Sequence, residues 1–212
     1  MEPFLRLDAA LLPLPRANID TDQITPARYL QKPRSDDFGA YLFRDLRYAK
    51  DGSEIASFPL NQAPYRDARI AVALDNFGCG SSREHAVWAL VDHRFRAVIA
   101  PSFGDIFAGN ALKNGLLPIV LPRAVVQRIL DAALATPGAH AVVDLATQTV
   151  TAPDGATHRF DIDARSKHCL LQGIDEIDYT LTLLPVIEAF ERRNGVRLAE
   201  GQARDEPDPP RA

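Results

Sequence analysis

Three short apolar segments, each followed by residues with helical or turn features, constrain the fold more than any other part of the sequence. They are four or five residues long and carry no charge, which is typical of strands buried within a sheet: Ile70–Leu74, Ala97–Ala100 and Leu117–Leu121. One helical stretch continues through Leu90, and another spans Asp105 to Lys113, where Asn114-Gly115 ends it. Strands that alternate with helices in this way predict an α/β sandwich with a partly parallel sheet.

The segments on either side of this region complete the expected organisation. Residues 18–33 are rich in Asp, Thr, Pro and Asn and predict a long ordered loop, and residues 44–69 predict a polar connecting excursion. Apolar residues from Val125 to Leu134 recur at helical spacing, and Pro137-Gly138 ends that helix. The remaining predicted elements are a hairpin over 141–145 and 149–152, a strand over 157–162, and helices near 163–172 and 180–194.

The composition argues against several classes of protein. The 212 residues suffice for one globular domain, and the net charge of −4 argues against a general nucleic-acid binder. The longest uninterrupted apolar run, Ala86–Val91, is too short to cross a membrane, and the N-terminus lacks the basic start and apolar core of a signal peptide. We therefore expect a cytoplasmic protein that binds neither membranes nor nucleic acid.

The segment Asp75–His85 joins a predicted strand to a predicted helix and contains the residues best suited to chemistry. Ser81 and Glu84 have the spacing of a capping box, so the helix is expected to begin at Ser81. The two glycines before it let the backbone approach a ligand closely, and the N–H groups of a helix start favour an anion. Arg83 offers a planar fork of donors that matches a carboxylate. The simpler alternative is that the serines only cap the helix and Arg83 is a solvated surface charge.

Cysteine and histidine usage limits what metals the chain could hold. The two cysteines, Cys79 and Cys169, are expected to be reduced thiols. A four-iron cluster usually takes three or four cysteine ligands, so this chain cannot supply them alone. The spacings of His85, His93 and His168 fit no standard zinc pattern. We therefore expect this chain itself to bind no metal or other cofactor.

Four segments in a fixed order carry a resemblance to a known family. Gly80–His85, which reads Gly-Ser-Ser-Arg-Glu-His, resembles the signature of the swivelling domain of the aconitase superfamily. The longer Asn76–Ala86, together with Trp88–Leu90, resembles the small subunits of bacterial isopropylmalate dehydratases. The other matching segments are Asn18–Pro26, Val98–Phe107 with its continuation at Lys113–Pro118, and His168–Ile177. The resemblance covers residues 3–195, and its departures lie outside the Ser-Ser-Arg core, at Val87, Gly104 and Asp178.

The resemblance implies a fold and a reaction. The fold would be an aconitase-swivel-like β/β/α sandwich, a single domain over residues 1–200 with a substrate loop at 18–34, followed by a disordered tail at 201–212. The reaction would be the stereospecific dehydration and rehydration of 2-isopropylmalate to 3-isopropylmalate, a hydro-lyase step of leucine biosynthesis. The family's base is a serine alkoxide, which the match places at Ser81. Ser82 and Arg83 would hold a substrate carboxylate.

Residues of the predicted substrate loop also match family positions. Asp22 matches an active-site aspartate, with an Asx-turn in a polar loop as the alternative. Tyr29 and Leu30 match the region that recognises the side chain of the substrate, where an apolar residue suits an isopropyl group. The alternative for Leu30 is a place in the core.

The resemblance finally implies a partner, a large subunit that carries the [4Fe-4S] cluster and forms a heterodimer with this chain. Two alternatives for the function stay open. One is the small subunit of a related hydro-lyase that acts on methylmalate- or citraconate-type diacids, and the other is a non-catalytic subunit that retains the fold. RNA binding is disfavoured by the acidic charge balance.

Overall fold

The computed structural model describes residues 1–34, 37–80 and 83–194, in two compact units, Met1–Asp175 and a smaller one that begins at Glu176. The strands of the larger unit are β1 (Arg6–Leu14), β2 (Ile70–Ala73), β3 (Ala97–Ala100), β4 (Leu117–Val120), β5 (His140–Asp144), β6 (Thr149–Thr151) and β7 (Thr157–Arg159). Its α-helices are α1 (Thr21–Ile24), α2 (Arg44–Arg47), α3 (Glu84–Asp92), α4 (Asp105–Lys113), α5 (Arg123–Ala135) and α6 (Ala164–Gln172). Short 3-10 helices lie at Ala27–Tyr29, Phe38–Tyr41, Pro59–Asn61 and Ala63–Tyr65.

The strands form one sheet in the order β4-β3-β2-β1-β5-β6-β7. The first four strands in this order pair in parallel, whereas β5 pairs antiparallel with β1 and the last strands continue antiparallel. The predicted α/β fold with a partly parallel sheet is thus confirmed. The segments predicted as buried strands became β2, β3 and β4, and the predicted hairpin and third strand became β5, β6 and β7.

The central strand β1 was not predicted from the sequence. Its first half alternates exposed and buried residues, and its second half is buried throughout. Residues 6–10 pair with β5, whereas residues 11–14 pair with β2. Pro13 pairs with Val72 beyond the end of the β5 pairing, so its missing N–H removes no bond to β5. Each half of β1 pairs with a neighbouring strand on one side only. A proline is therefore tolerated in β1 although this strand lies in the middle of the sheet.

Each face of the sheet covers its own hydrophobic core. In β2, Ala71 and Ala73 belong to the core that contains α3 and α4, while Ile70 and Val72 belong to the core that contains α5. This division follows from the period of two along a strand, which sends successive side chains to opposite faces. The four residues of β2 are all fully buried, as their uninterrupted apolar sequence predicts.

The start of α3 differs from the prediction. The helix begins at Glu84, and Arg83 occupies the N-cap position without a side-chain capping hydrogen bond. The carboxylate of Glu84 accepts a hydrogen bond from Nδ2 of Asn114 at 2.7 Å, so it is engaged outside its own helix end. The expected helix start at Ser81 is therefore wrong by three residues, because capping-box spacing alone does not fix where the backbone turns helical.

The smaller unit contains two helices within the described range, α7 (Glu176–Thr182) and α8 (Leu184–Asn194). The sequence predicts one helix over 180–194. Pro185 at the second position of α8 explains the separation, because proline is favoured in a first helical turn and disfavoured further inside. The predicted disordered tail lies outside the described residues, and a single domain over 1–200 stays a prediction. No helix in the described ranges is long and apolar enough to span a membrane.

Candidate active site

The glycine-rich segment after β2 is bonded to the chain that follows β1. The N–H of Gly78 donates to the carbonyl of Ile19 at 2.7 Å, and the N–H of Thr21 donates to the carbonyl of Cys79 at 3.0 Å. These two bonds accompany a parallel bridge between Asp20 and Cys79. The pairing of β1 with β2 therefore continues, after an interruption, beyond the ends of both strands.

The same segment is bonded on its other side to the chain that follows β3. The N–H of Phe77 donates to the carbonyl of Ser102 at 3.1 Å, and the N–H of Gly104 donates to the carbonyl of Phe77 at 2.9 Å. The hydroxyl of Ser102 accepts the N–H of Asn76 at 2.8 Å. Residues that follow three adjacent parallel strands thus meet at the carboxyl edge of the sheet, where ligands of open α/β folds bind.

Close packing explains why the segment needs glycine at two positions. Gly78 has a φ of 72°, and a Cβ there would lie 2.2 Å from Cγ of Phe107, whose ring is fully buried. A Cβ on Gly104 would lie 2.6 Å from the carbonyl oxygen of Gly78. Since both distances are far below van der Waals contact, only glycine allows the two turns to approach so closely.

Asp22 is exposed in α1, directly beside this segment. It does not form the Asx-turn considered as its alternative, because Asp20 forms the cap instead. The Asp20 carboxylate accepts the N–H of Gln23 at 2.7 Å, and the side chain of Gln23 accepts the N–H of Asp20 at 3.3 Å. This capping box fixes the short helix and leaves the Asp22 carboxylate without a hydrogen bond to any residue that the structure describes.

Arg83 is also exposed, at the N-cap of α3. The two helices are neighbours at this point, because the hydroxyl of Thr25 at the end of α1 lies 3.5 Å from the carbonyl of His85 in the first turn of α3. A cationic and an anionic side chain, both exposed, therefore lie on adjoining elements next to the glycine-rich segment.

Tyr29 and Leu30 lie one turn further along the loop. Tyr29 stacks on Tyr41, with ring centroids 4.1 Å apart, and Tyr41 makes an edge contact with Phe38 at 5.2 Å. Phe38 in turn contacts Trp88 of α3 at 5.8 Å. This series of rings links the Tyr29 loop to α3. Leu30 is half-buried and is absent from the hydrophobic cores, so the alternative that it is a core residue is wrong.

An exposed ion pair between Arg28 and Asp45 holds the same loop. Nη1 of Arg28 donates to Oδ2 of Asp45 at 2.8 Å, and Nη2 bonds the other carboxylate oxygen. The hydrogen bond from Arg28 lowers the pKa of the Asp45 carboxyl. The guanidinium also lies over the ring of Tyr29, 4.7 Å from its centroid. The side chain of Tyr29 is therefore held on two sides before any ligand binds.

Ser81 and Ser82, the expected base and one of the expected carboxylate ligands, lie outside the described residues. The residues that flank them are described. Gly80 has a φ of 90°, and a Cβ there would contact Asp20 at 3.5 Å. Arg83 follows on the other side. The flanking residues connect this pair of serines to the carboxyl edge of the sheet on one side and to α3 on the other.

The cysteines and histidines do not form a metal centre in the part of the chain that the structure describes. No group of three or more His, Cys, Asp or Glu side chains there could hold a metal ion. Cys79 is half-buried in the glycine-rich segment, and Cys169 is buried in α6. His85 packs on Trp88 with ring centroids 4.4 Å apart. Two cysteines on separate elements do not fit the ligand set of a four-iron cluster.

Sequence reasoning missed two features of this edge. Asp20 and Gln23 have the spacing of a capping box, the same signal that was assigned to Ser81, so the pattern was available. Asn18 and Asn76 both have a positive φ, 55° and 62°, and their side chains hydrogen-bond each other at 2.8 Å. Asparagine tolerates this backbone region better than most residues, and two such positions next to predicted strand ends indicate turns.

Comparison with known proteins adds evidence of relationship. The sequence model of the aconitase C-terminal domain matches residues 1–124, and the model LeuD_N matches residues 127–164. The chain is 51% identical over 191 residues to the 3-isopropylmalate dehydratase small subunit of Jannaschia sp. (strain CCS1), an alignment that covers 90% of this chain and 95% of that protein. It is also 51% identical over 191 residues to the corresponding small subunit of Gluconacetobacter diazotrophicus, covering 90% of this chain and 92% of that one.

A solved structure agrees with the fold. The crystal structure of a 3-isopropylmalate dehydratase from Methanocaldococcus jannaschii superposes with a TM-score of 0.62 at 24% sequence identity. The match covers 88% of this chain and 99% of that one. At this identity the likeness supports the fold alone.

Proposed function

The chain belongs to the family of 3-isopropylmalate dehydratase small subunits, which are hydro-lyase subunits with an aconitase C-terminal domain, and we propose that it forms one side of the active site of such an enzyme. The substrate would be 2-isopropylmalate, which the enzyme dehydrates and rehydrates to 3-isopropylmalate in leucine biosynthesis. The role of this chain would be to supply the base and to hold a substrate carboxylate.

One observation carries the proposal, the fixed position of the glycine-rich segment between two neighbouring turns. Hydrogen bonds from both sides hold Phe77 and Gly78, and the close contact with Phe107 leaves the segment little freedom. Ser81 and Ser82 follow Gly78 after two intervening residues. A base that must meet one hydrogen atom of a bound substrate needs such a rigid support, because small displacements of catalytic groups lower rates greatly.

The proposed base needs an environment that stabilises an alkoxide. A free serine hydroxyl is too weakly acidic, so nearby N–H groups and a cation must favour its ionised form. Arg83 directly follows the serines, at the start of the nine-residue helix α3, whose N-terminal end carries a partial positive charge. We propose that Ser81 removes the proton, and that Ser82 and Arg83 bind a carboxylate through charge-assisted hydrogen bonds.

Three residues of the loop would complete the substrate site. Asp22 is exposed beside the glycine-rich segment, and we propose that it contacts the reacting part of the substrate. Leu30 is half-buried and apolar, so it suits the isopropyl group, and Tyr29 supports it through its stack on Tyr41. Burial of an isopropyl group against such a surface contributes about 2 kcal/mol, enough to favour it over a methyl group.

The proposal includes a large subunit as partner. Because the cysteines of this chain do not fit an iron–sulfur cluster, we propose that the large subunit holds the [4Fe-4S] cluster, whose Lewis acidity would act on the substrate. The isolated chain would then be inactive, and it would work only when it closes over the substrate bound at the partner. A cytoplasmic location is part of the same proposal.

A single experiment tests the base. The full chain is co-expressed with its large subunit, iron and sulfide are reconstituted anaerobically, and the absorbance of the unsaturated diacid is followed with 2-isopropylmalate. Ser81→Ala should lower the rate by at least about 100-fold while co-elution with the large subunit stays intact. Ser57→Ala, which truncates an exposed serine of the 44–69 excursion, serves as the matched control. A Ser81→Ala enzyme with the wild-type rate would show that the base is wrongly assigned.

The same preparation separates the alternatives for the substrate. Citramalate, which carries a methyl group in place of isopropyl, is compared with 2-isopropylmalate as substrate for the wild-type pair. A higher kcat/KM for citramalate would assign the chain to a related hydro-lyase. Absence of turnover with both substrates, in a pair that associates and contains its cluster, would support a non-catalytic subunit.

A further inference from the structure

A group of basic residues lies at the opposite end of the parallel strands from the candidate active site. Arg69 directly precedes β2 and Arg96 directly precedes β3, and the N–H of Arg96 donates to the carbonyl of Arg69 at 2.9 Å. These arginines border an open cleft of about 440 Å³, which we call the basic cleft. Its charged lining residues are Glu2, Arg34, Arg69, Arg94, Arg96, Lys113 and Asp175.

The charge of the basic cleft contrasts with that of the whole chain. Five basic and two acidic residues line the cleft, although the chain has a net charge of −4. Two of the arginines already have carboxylate partners, since Arg34 binds Asp92 at 2.8 Å and Arg96 binds Glu2. Burial lowers the pKa of Arg96, the charge of Glu2 opposes this effect, and the charge of Arg69 adds to it. The cleft therefore retains positive charge that an anion would neutralise.

Arg94 is the residue of the cleft whose guanidinium is most available. Among the residues that the structure describes, none forms a hydrogen bond or an ion pair with this guanidinium, and the residue is exposed. Its backbone carbonyl accepts a bond from Nε of Arg69 at 3.4 Å, and both residues line the basic cleft. Two guanidinium groups that line one cleft suit an oxyanion, which each can bind in a bidentate manner.

The backbone at Arg94 supports a role for its side chain. Arg94 lies two residues beyond the last residue of α3 and has a φ of 76°, and the bonds from Arg94 N to Val91 O and from Phe95 N to Leu90 O form a Schellman motif. The same pair of bonds ends α4 and α6, where the equivalent residues are Gly115 and Gly173. Glycine is the favoured residue at this left-handed position. Arginine at the end of α3 is thus an unfavourable choice for stability, which a function of its side chain would explain.

We propose that the basic cleft is a second anion-binding site, which takes a small dianion through Arg94 and Arg69. Its volume is within the range of small-molecule sites, and its ligand would be an inorganic phosphate or a short dicarboxylate, which share the oxyanion groups that guanidinium recognises. The site lies at the amino ends of β2 and β3, whereas the proposed substrate site lies at their carboxyl ends. A ligand of the cleft therefore does not compete with the substrate for the same residues.

The test uses the full chain, with inorganic phosphate and malonate as separate probes. Each is titrated by calorimetry at constant ionic strength, with chloride as the compensating salt. Saturable binding of either probe is expected, and the tighter of the two identifies the ligand class. Arg94→Gln should weaken it at least tenfold, whereas Arg128→Gln, which removes the same charge from an exposed position of α5, should leave it unchanged.

Two results would overturn the proposal directly. One is the absence of saturable binding for both probes. The other is equal affinity in the wild type and Arg94→Gln, including the case in which Arg83→Gln alone abolishes binding, because the anion would then occupy the candidate active site.

A second variant separates binding from a structural role. Arg94→Gly removes the guanidinium and places the favoured residue in the left-handed position, so its thermal midpoint without ligand should rise above that of the wild type. Its anion affinity should fall as in Arg94→Gln. Retained affinity, or a midpoint below that of the wild type, would show that arginine is present for the fold and would contradict the inference.

Discussion

Substitution of Gly78 by alanine tests the placement of the glycine-rich segment most directly. The added Cβ would lie 2.2 Å from Cγ and 2.6 Å from Cδ2 of Phe107, a ring that is 1% exposed and cannot move aside into solvent. Overpacking of this kind costs roughly 1–3 kcal/mol. The φ of 72° adds about 1–2 kcal/mol for a residue with a side chain. We therefore expect Gly78→Ala to destabilise the folded state by roughly 2–5 kcal/mol.

Thermal unfolding followed by far-UV circular dichroism measures this effect. For a chain of this length each kcal/mol shifts Tm by roughly 2–4 °C, so the expected decrease is roughly 4–20 °C. Gly109→Ala is the matched control, because Gly109 lies within α4 and a Cβ there meets no atom within 4 Å. Alanine should stabilise that helix by roughly 0.5–1 kcal/mol and raise Tm by about 1–4 °C.

The two glycine variants must therefore change Tm in opposite directions. A Gly78→Ala protein with a Tm within 1 °C or so of the wild type would refute the reasoning, because the Phe107 ring could not then lie against Gly78. The same variant should lower turnover of the reconstituted enzyme, since relief of the clash displaces the residues that precede Ser81.

Two further predictions concern the polar groups buried outside the site. Asn61 accepts a bond from Nε of Arg47 and donates to the carbonyls of Arg47 and Ile55. Asn61→Ala should therefore lower the free energy of unfolding, measured in urea, by roughly 2–4 kcal/mol, whereas Gln62→Ala, at an exposed position, should lower it by less than about 0.5 kcal/mol. Equal effects of the two substitutions would contradict this prediction. Burial, followed by the charge of Arg47, lowers the pKa of His93 from 6.5 to about 4. As the pH falls, His93 therefore takes up its proton in the unfolded chain at a higher pH than in the folded protein. The free energy of unfolding of the wild type should then fall by about 1–2 kcal/mol between pH 7 and pH 5, and that of His93→Gln should fall by less. An identical dependence of this free energy on pH in the two proteins would be inconsistent with a neutral His93.

The parts of the fold that could be predicted are those in which one local signal dominates. Ile70–Ala73 is apolar throughout and is buried on both faces of the sheet, so its sequence suffices to identify the strand. The exposed residues Arg6 and Asp8 of β1, together with Pro13, hide a strand whose two halves pair with different neighbours. That arrangement depends on residues more than fifty positions away, which no local pattern contains.

The candidate site likewise combines features that local sequence predicts with features that depend on tertiary contacts. The glycines, Arg83 and Asp22 were identified as candidates from residue type and resemblance, and each lies at the carboxyl edge of the sheet or on an element beside it. The helix start was misplaced, because Ser81 and Asp20 both head sequences with capping-box spacing and only the tertiary contacts distinguish them. The left-handed backbone of Arg94 could not be foreseen, because nothing in the identity of an arginine indicates a positive φ.

The double pairing of β1 also affects how the chain acquires its structure during synthesis. β1 leaves the ribosome before both of its partners, because its parallel partner begins at Ile70 and its antiparallel partner ends at Asp144. The first half of β1, residues 6–10, must therefore stay unpaired until β5 has been made, and an unpaired strand edge favours association with other chains. A ribosome that pauses before His140 would present this strand for longest. Synonymous codons that slow translation between β2 and β5 are accordingly expected to lower soluble yield more than the same codons placed after β7.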